Sequence, residues 1–338
     1  MIVEMAKGVG VEEVDGVVQR AKALGFQVQL NLGTDKIVVA ILGGHTGQVS
    51  TDTFAVLPGV ESVTRIMKPY KLASREFKSE NTVVSVGGVE IGGERVVVMA
   101  GPCAVESEAQ LMEAAEAVKE AGAAVLRGGA FKPRTSPFSF QGLEEKGLEL
   151  LAKARERFQI PVVTEVVDPH DVDLVAGAAD ILQVGARNMQ NFTLLTNVGK
   201  SQRPVLLKRG FSSTITEWLT AADYLLAEGN NQVILCERGI RTFEDSIRFS
   251  LDVTSVPVVK KFSHLPLIVD PSHAAGHYSL VPALAKAAVA AGVDGLLIEV
   301  HPNPKEALVD GLQSLTLSDF AQLMEELRSI AKAVGRYL

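Results

Sequence analysis

The stretch VVVMAGPC (Val96–Cys103) is an apolar run that stops on Gly101-Pro102-Cys103, and helical periodicity follows over Glu108–Ala121. A strand without polar alternation is buried on both faces, as a parallel strand flanked by helices must be. The same unit recurs down the chain. Branched apolar runs fall at Val96–Ala100, Val125–Gly129, Val162–Val166, Ile181–Gly185, Val205–Lys208, Val233–Cys236, Leu267–Val269 and Leu296–Val300. Helical patterns separate them, including Leu143–Phe158, Thr216–Ala227, Leu280–Ala291 and Leu317–Val334. Eight such strands in about 240 residues point to an α/β fold, a (β/α)8 TIM barrel. A doubly wound sheet is the alternative, but no G-x-G-x-x-G follows a strand.

Upstream, Ile2–Met5 reads as a strand, Val11–Leu24 as an amphipathic helix, and Gln27–Asn31 and Ile37–Leu42 as strands around a turn at Gly33-Thr34-Asp35. Thr51–Leu57 reads as a short helix ended by Pro58-Gly59, and Val63–Met67 as a returning strand. The order β-α-β-β-α-β is that of a ferredoxin-like α+β domain. Lys68–Asn81 (KPYKLASREFKSEN) is charged, poor in branched apolar residues, and reads as a linker. Val83–Val86 and Val89–Ile91, joined by Gly87-Gly88, read as a hairpin able to close the bottom of the barrel. The expected plan is a small domain over 1–67, a linker over 68–82 and a catalytic barrel with its hairpin over 83–338.

Bulk properties narrow the function. A net charge of -7 argues against general nucleic-acid binding, which needs a basic surplus. Any anion site must therefore be a local cluster of Lys and Arg. Two cysteines, Cys103 and Cys236, give no disulfide framework. No apolar run approaches the ~20 residues of a membrane span, and Met1-Ile2-Val3-Glu4 lacks the features of a signal peptide. A cytoplasmic location is expected.

Barrel chemistry sits at the C-terminal ends of the strands. In order, the eight ends carry Cys103; Arg127 to Ser136; Thr164-Glu165; Arg187-Asn188; Lys208-Arg209; Glu237-Arg238; Asp270 to His273; and Glu299 with His301. Seven cations, Arg127, Lys132, Arg134, Arg187, Lys208, Arg209 and Arg238, converge on one barrel mouth. Each alone can be solvated or paired with Glu165, Glu237 or Asp270. Together, on an acidic protein, they imply a polyanionic ligand, and two phosphorylated substrates would account for so many.

Cys103, His273, Glu299 and Asp310 form a second constellation. A thiolate, an imidazole and two carboxylates can ligate manganese, iron, cobalt or zinc. The plain alternatives are that Cys103 is a small buried hydrophobe and that Glu299 pairs with an arginine. His45, His170 and His264 read as structural, Cys236 as core, and His301 as able to line the site.

The motifs GPC (Gly101–Cys103), RGGAFKPRTSPFSFQG (Arg127–Gly142), GARNMQNF (Gly185–Phe192), LLKRG (Leu206–Gly210), ILCERGIRTF (Ile234–Phe243), VDPSHAAG (Val269–Gly276) and EVHPNP (Glu299–Pro304) resemble the type I 3-deoxy-D-arabino-heptulosonate 7-phosphate (DAHP) synthases. The likeness covers about residues 68–338, and the N-terminal unit resembles the regulatory domain of short microbial members. The resemblance implies an aldol-like condensation of phosphoenolpyruvate with erythrose 4-phosphate, the entry step of the shikimate pathway. It implies a divalent metal, manganese first, on Cys103, His273, Glu299 and Asp310. It places phosphoenolpyruvate on Arg127, Lys132, Arg187, Lys208 and Arg238, and the aldose phosphate on Arg134, Thr135 and Ser136. Arg209 is expected beside these as a substrate-binding residue; for the proton, Lys132 is the first candidate and a metal-bound water the alternative. A tyrosine or phenylalanine effector and a homotetramer are further implications.

Three rival readings follow. The 3-deoxy-D-manno-octulosonate 8-phosphate synthases read K-A-N-R-S where this chain has Lys132-Pro133-Arg134-Thr135. A Schiff-base aldolase would use Lys208 as its nucleophile. An inert amino-acid sensor would have no use for the four candidate ligands.

Overall fold

The computed structural model describes residues 1–33, 36–65, 68–133, 136 and 138–338. The expected aldose residues Arg134 and Thr135 lie outside them. So do the Thr34-Asp35 turn and the last residues, Ile66 and Met67, of the expected returning strand. Two compact units emerge, Met1–Asn81 with Phe262–His264, and Thr82–Lys261 with Leu265–Leu338.

In the first unit, β1 (Ile2–Met5), β2 (Gln27–Leu32), β3 (Ile37–Leu42) and β4 (Val60–Thr64) form a sheet in the order β2-β3-β1-β4. Its ladders are antiparallel. The helices are α1 (Val11–Ala23) and the single turn α2 (Asp52–Ala55). α1 buries Val14, Val17, Val18 and Ala21, the i, i+3, i+4, i+7 stripe of an amphipathic helix, on Val3, Met5, Val39 and Ile41. The last strand starts at Val60, directly after the Gly59 turn, and not at Val63. Its outward Glu61 and Ser62 mask the start of the apolar run.

Lys68–Asn81 is no solvated spacer. Tyr70, Leu72, Ala73 and Phe77 are buried, and Asn31 Nδ2 donates to the Phe77 carbonyl at 3.1 Å. His264 Nε2 donates to the Leu72 carbonyl at 2.8 Å. Tyr70, Ala73 and Phe77 fall at i, i+3 and i+7, yet the segment forms turns, and the charged residues between them dominate a composition reading.

The second unit opens with the expected hairpin, β5 (Val84–Val86) and β6 (Val89–Ile91), paired antiparallel. The barrel strands are β7 (Val97–Gly101), β8 (Val125–Arg127), β9 (Val162–Glu165), β10 (Ile181–Val184), β11 (Val205–Lys208), β12 (Val233–Glu237), β13 (Leu267–Val269) and β14 (Gly295–Glu299). All are parallel and they close into a ring. Val84, Val86 and Ile91 of the hairpin share one core with Met99, Ile181, Ile234, Ile268 and Leu297, and Cys236 lies within it. The hairpin therefore plugs the interior and leaves the C-terminal mouth for chemistry.

Helices α3 (Glu108–Glu120), α4 (Glu144–Phe158), α5 (Val172–Ala178), α6 (Phe192–Lys200), α7 (Ile215–Ala227), α8 (Ser255–Phe262), α9 (Pro271–Ala275), α10 (Val281–Ala290) and α11 (Leu317–Ala333) alternate with the strands. Side-chain caps fix several starts: Ser107 for α3, Thr214 with Glu217 as a capping box for α7, and Thr316 for α11. No helix among the described residues is long and apolar enough to cross a membrane.

Candidate active site

The ends of β7 and β8 approach closely. Gly101 has φ +150°, and a Cβ there would stand 2.1 Å from the Arg127 carbonyl oxygen, so the contact requires glycine. Pro102 and Cys103 are thereby set beside Arg127. Arg127 Nη1 donates to the Pro102 carbonyl at 2.7 Å and lies 3.1 Å from Glu299 Oε1. Lys132 reaches back from the following loop, its Nζ 3.1 Å from Cys103 Sγ and 3.2 Å from the Cys103 carbonyl oxygen. Burial opposes charge on Lys132, but Cys103, Glu165 and Glu299 outweigh it and hold the ammonium above its ordinary pKa.

At the end of β13 the segment Asp270-Pro271-Ser272-His273 starts α9. Asp270 caps it by accepting from the His273 backbone N–H at 2.9 Å, Pro271 occupies the first turn, and Gly276 closes it in the left-handed conformation. The cap also orients the imidazole. Asp270 Oδ2 lies 2.7 Å from His273 Nδ1 and 2.6 Å from Lys208 Nζ. Burial works against ionising Asp270, yet His273 and Lys208 together hold its carboxyl well below the usual range. An ionised Asp270 accepts the Nδ1 proton, which leaves Nε2 as the free lone pair. Burial also lowers the His273 pKa, against the pull of Asp270 and Glu299, and so favours the neutral ring.

That lone pair faces acceptors. His273 Nε2 is 3.3 Å from Glu299 Oε1 and 3.8 Å from Asp310 Oδ2, and Asp310 Oδ2 is 3.4 Å from Cys103 Sγ. One donor atom from each of Cys103, His273, Glu299 and Asp310 lies within 4.8 Å of all the others. Glu299 Oε1 is buried and accepts no hydrogen bond among the described residues. Asp310 enters from the loop after β14 at φ +53°, a left-handed conformation uncommon outside glycine. Burial, with Glu299 second, pushes the Cys103 thiol up to about 12. Arg127 and Lys132 each meet one member of the set, but an imidazole lone pair 3.3 Å and 3.8 Å from two carboxylate oxygens is repulsive without a cation among them, so this donor set fits a divalent metal.

Beside the cluster lies a cavity of about 270 Å³ lined by Lys132, Ser136, Ser139, Glu165, Arg187, Phe211, Arg238, Arg248, Phe249, His273 and Asp310. Arg238 stacks on Phe249 at 4.0 Å and on Phe211 at 4.8 Å. Its Nη1 is buried with no hydrogen-bond partner among the described residues, and burial pushes its pKa down to about 10. An unpaired buried guanidinium is a receptor for an anion. Arg187 lies 5.5 Å over the Phe211 ring. Lys208 and Arg127 are buried in ion pairs with Asp270 and Glu299 and are not among the cavity-lining residues.

Arg209 departs from its expected role. Its Nη1 pairs with Glu237 and Asp252, each at 2.9 Å, and its Nε donates to the Ser213 carbonyl. The guanidinium packs 5.9 Å over Trp218, and the residue is absent from the cavity lining. A residue following an inward-pointing Lys208 on a strand faces the other way, which adjacency in sequence conceals. His301 likewise ties two loops through Glu106 at 3.4 Å.

Among residues not placed in the site beforehand, Glu165 carried a signal as the end of a strand. Its carboxylate packs against Gly185, where a Cβ would stand 2.0 Å from Oε1. Arg248, Phe211, Phe249 and Gln313 sit in loops or short turns without a motif of their own.

Comparison with known proteins shows the family. Residues 64–334 match the model of the DAHP synthetase I family, and residues 1–68 match that of the DAHP synthase ferredoxin-like domain. A phospho-2-dehydro-3-deoxyheptonate aldolase of Thermotoga maritima is 49% identical over 335 residues, 99% of both chains. A solved structure of a T. maritima DAHP synthase matches at a TM-score of 0.80 and 48% identity, over 99% of this chain and 98% of that one. A 2-dehydro-3-deoxyphosphooctonate aldolase of Geobacter sulfurreducens is more distant, at 33% over 73% of this chain and 97% of its own. With both parts of the chain matched in order and a full-length relative near half identity, the protein is an enzyme of the DAHP synthetase I family.

Proposed function

We propose that the enzyme condenses phosphoenolpyruvate with erythrose 4-phosphate and water, giving 3-deoxy-D-arabino-heptulosonate 7-phosphate and phosphate, the first step of the shikimate pathway. The observation that carries this reading is one cavity in which Lys132, Arg187 and Arg238 stand beside His273 and Asp310 of the four-donor cluster. Phosphoenolpyruvate is held by Lys132, Arg187 and Arg238, with Arg127 and Lys208 adding positive potential from beneath. Ser136, with Arg134 and Thr135, meets the aldose phosphate.

In the reaction, C3 of phosphoenolpyruvate bonds to the aldehyde carbon, water adds at C2, and the phosphate leaves. Cys103, His273, Glu299 and Asp310 would hold a divalent cation, manganese first and iron, cobalt or zinc next, which would supply Lewis acidity for the aldehyde oxygen. Lys132, fixed by the sulfur and carbonyl of Cys103, holds the proton delivered to that oxygen. The arginines fix both substrates at attack distance and offset phosphate charge as it builds. Arg209 acts by holding Glu237 and Asp252, and so the strand end that carries Arg238.

Side-by-side assays with erythrose 4-phosphate and arabinose 5-phosphate test the choice of aldose. The four-carbon sugar should be strongly preferred, and a preference for the pentose would assign the octulosonate reaction instead. The N-terminal unit binds an aromatic amino acid, tyrosine or phenylalanine, in the same reading. Removing residues 1–81 should then leave turnover but abolish inhibition. The cut follows Asn81 because Tyr70, Leu72 and Phe77 are buried with the first unit.

A further inference from the structure

We propose that Arg248, acting directly on Asp310 and through Gln313 on Glu299, is a positioning residue that turns one oxygen of each carboxylate toward a divalent cation. The proposal rests on the metal-dependent reading above and assigns two residues outside the four-donor set.

The two carboxylates are divided in the same sense. Glu299 Oε2 accepts from Gln313 Nε2 at 2.7 Å, while the buried Oε1 accepts no hydrogen bond among the described residues, ion-pairs with Arg127 Nη1 at 3.1 Å and lies 3.3 Å from His273 Nε2. Asp310 Oδ1 lies 3.7 Å from Arg248 Nη1, while Oδ2 faces Cys103 Sγ at 3.4 Å. One outer oxygen thus faces Arg248 directly and the other faces Gln313, while the inner oxygens face the cluster.

Gln313 is an amide, and its two ends are not interchangeable. Arg248 Nη1 donates to Gln313 Oε1 at 2.5 Å. A guanidinium has only donors, so the amide oxygen must turn toward it, and the NH2 must then turn toward Glu299. A flipped amide would set its oxygen against the carboxylate and its NH2 against the guanidinium. Arg248 therefore fixes the polarity of Gln313, and Gln313 selects which oxygen of Glu299 is turned toward the cluster, beside Arg127. Gln313 is almost fully buried, whereas the Arg248 side chain is about one-third exposed and lines the substrate cavity. The polarity of a buried amide is thus set from a residue at the wall of the cavity. Partners of this kind, one bond beyond the ligands, govern affinity by pre-orienting them.

The test is a Co²⁺ titration of the full-length chain after metal removal, followed by the thiolate-to-cobalt absorption band. Wild type is compared with Arg248→Ala, Arg248→Lys and Gln313→Leu, and thermal unfolding of each metal-free protein checks the fold. The proposal expects Arg248→Ala and Gln313→Leu to weaken Co²⁺ binding by about 10- to 100-fold. Lysine, which restores the charge and a donor, should recover part of the loss. Unchanged Co²⁺ affinity in folded Arg248→Ala, with only the KM for the aldose raised, would overturn it and make Arg248 a substrate contact. A wild-type protein that gives no cobalt–thiolate band would instead overturn the metal reading itself, and this proposal with it. Because Arg248 is partly exposed, its alanine variant keeps the test informative if Gln313→Leu fails to fold.

Discussion

Lys132 Nζ stands 3.1 Å from Cys103 Sγ, so the loop after the second barrel strand is tied to the end of the first. The contact joins two parts of the chemistry. The same ammonium lines the cationic cavity and touches one of the four clustered donors. Replacing Lys132 with methionine keeps the length of the side chain and removes the proton. The expected result is a fall in kcat of about 10²- to 10⁴-fold, the usual worth of a positioned proton donor. Steady-state kinetics against both substrates check it. A change confined to the KM for phosphoenolpyruvate would reduce Lys132 to a binding residue.

Asp270 serves Lys208 and His273 at once, at 2.6 Å and 2.7 Å. Asp270→Asn leaves the Lys208 ammonium buried without its counter-charge, and losing one partner of a buried pair costs about 3–5 kcal/mol. Chemical denaturation should show that loss. Adding Lys208→Met should restore much of the stability without restoring metal affinity, because the imidazole still lacks its orienting carboxylate. Recovery of both would show that Asp270 serves Lys208 alone.

The ring of His264 is buried, and burial lowers its pKa from 6.5 to about 4. Its protonated form is thus disfavoured in the folded protein, while the unfolded chain takes up a proton below about pH 6.5. Stability is therefore complete above that pH and declines as the pH falls toward 4. Between pH 7 and pH 5 this group should cost about 2 kcal/mol, from 1.36 kcal/mol per pH unit. Denaturation at both pH values should give a smaller difference in His264→Gln. An equal slope in the variant would contradict the assignment.

Much of the barrel is readable from the residues because its eight strands are short apolar runs that end in polar side chains at the mouth. Strand limits shift by about one residue, as at Val97–Gly101, where the glycine still pairs. Four helices carry too little periodicity to be read from the residues. α5, α6 and α9 are short, with seven, nine and five residues, and α8 has eight and carries a proline. α9 hides inside VDPSHAAG, whose Asp-Pro start and Gly stop mark a helix of little more than one turn. Cys103, His273, Glu299 and Asp310 could be nominated because each residue type is chemically conspicuous at a strand end or in the loop that follows. Arg248 and Gln313 could not, since an arginine in a polar loop and a glutamine in a turn announce nothing. The pairing of Lys208 with Asp270 and of Arg209 with Glu237 is one of several that residue order allows, and the fold selects it.

The central claim is that this barrel joins phosphoenolpyruvate to erythrose 4-phosphate with a divalent cation on Cys103, His273, Glu299 and Asp310. The most direct measurement is phosphate release from the two substrates by protein stripped with chelator, before and after Mn²⁺ is restored, with Cys103→Ala alongside. The account predicts no turnover when stripped, recovery on adding Mn²⁺, and at most a small recovery in Cys103→Ala. Full turnover in excess chelator, or a Cys103→Ala enzyme as active as wild type, would contradict it.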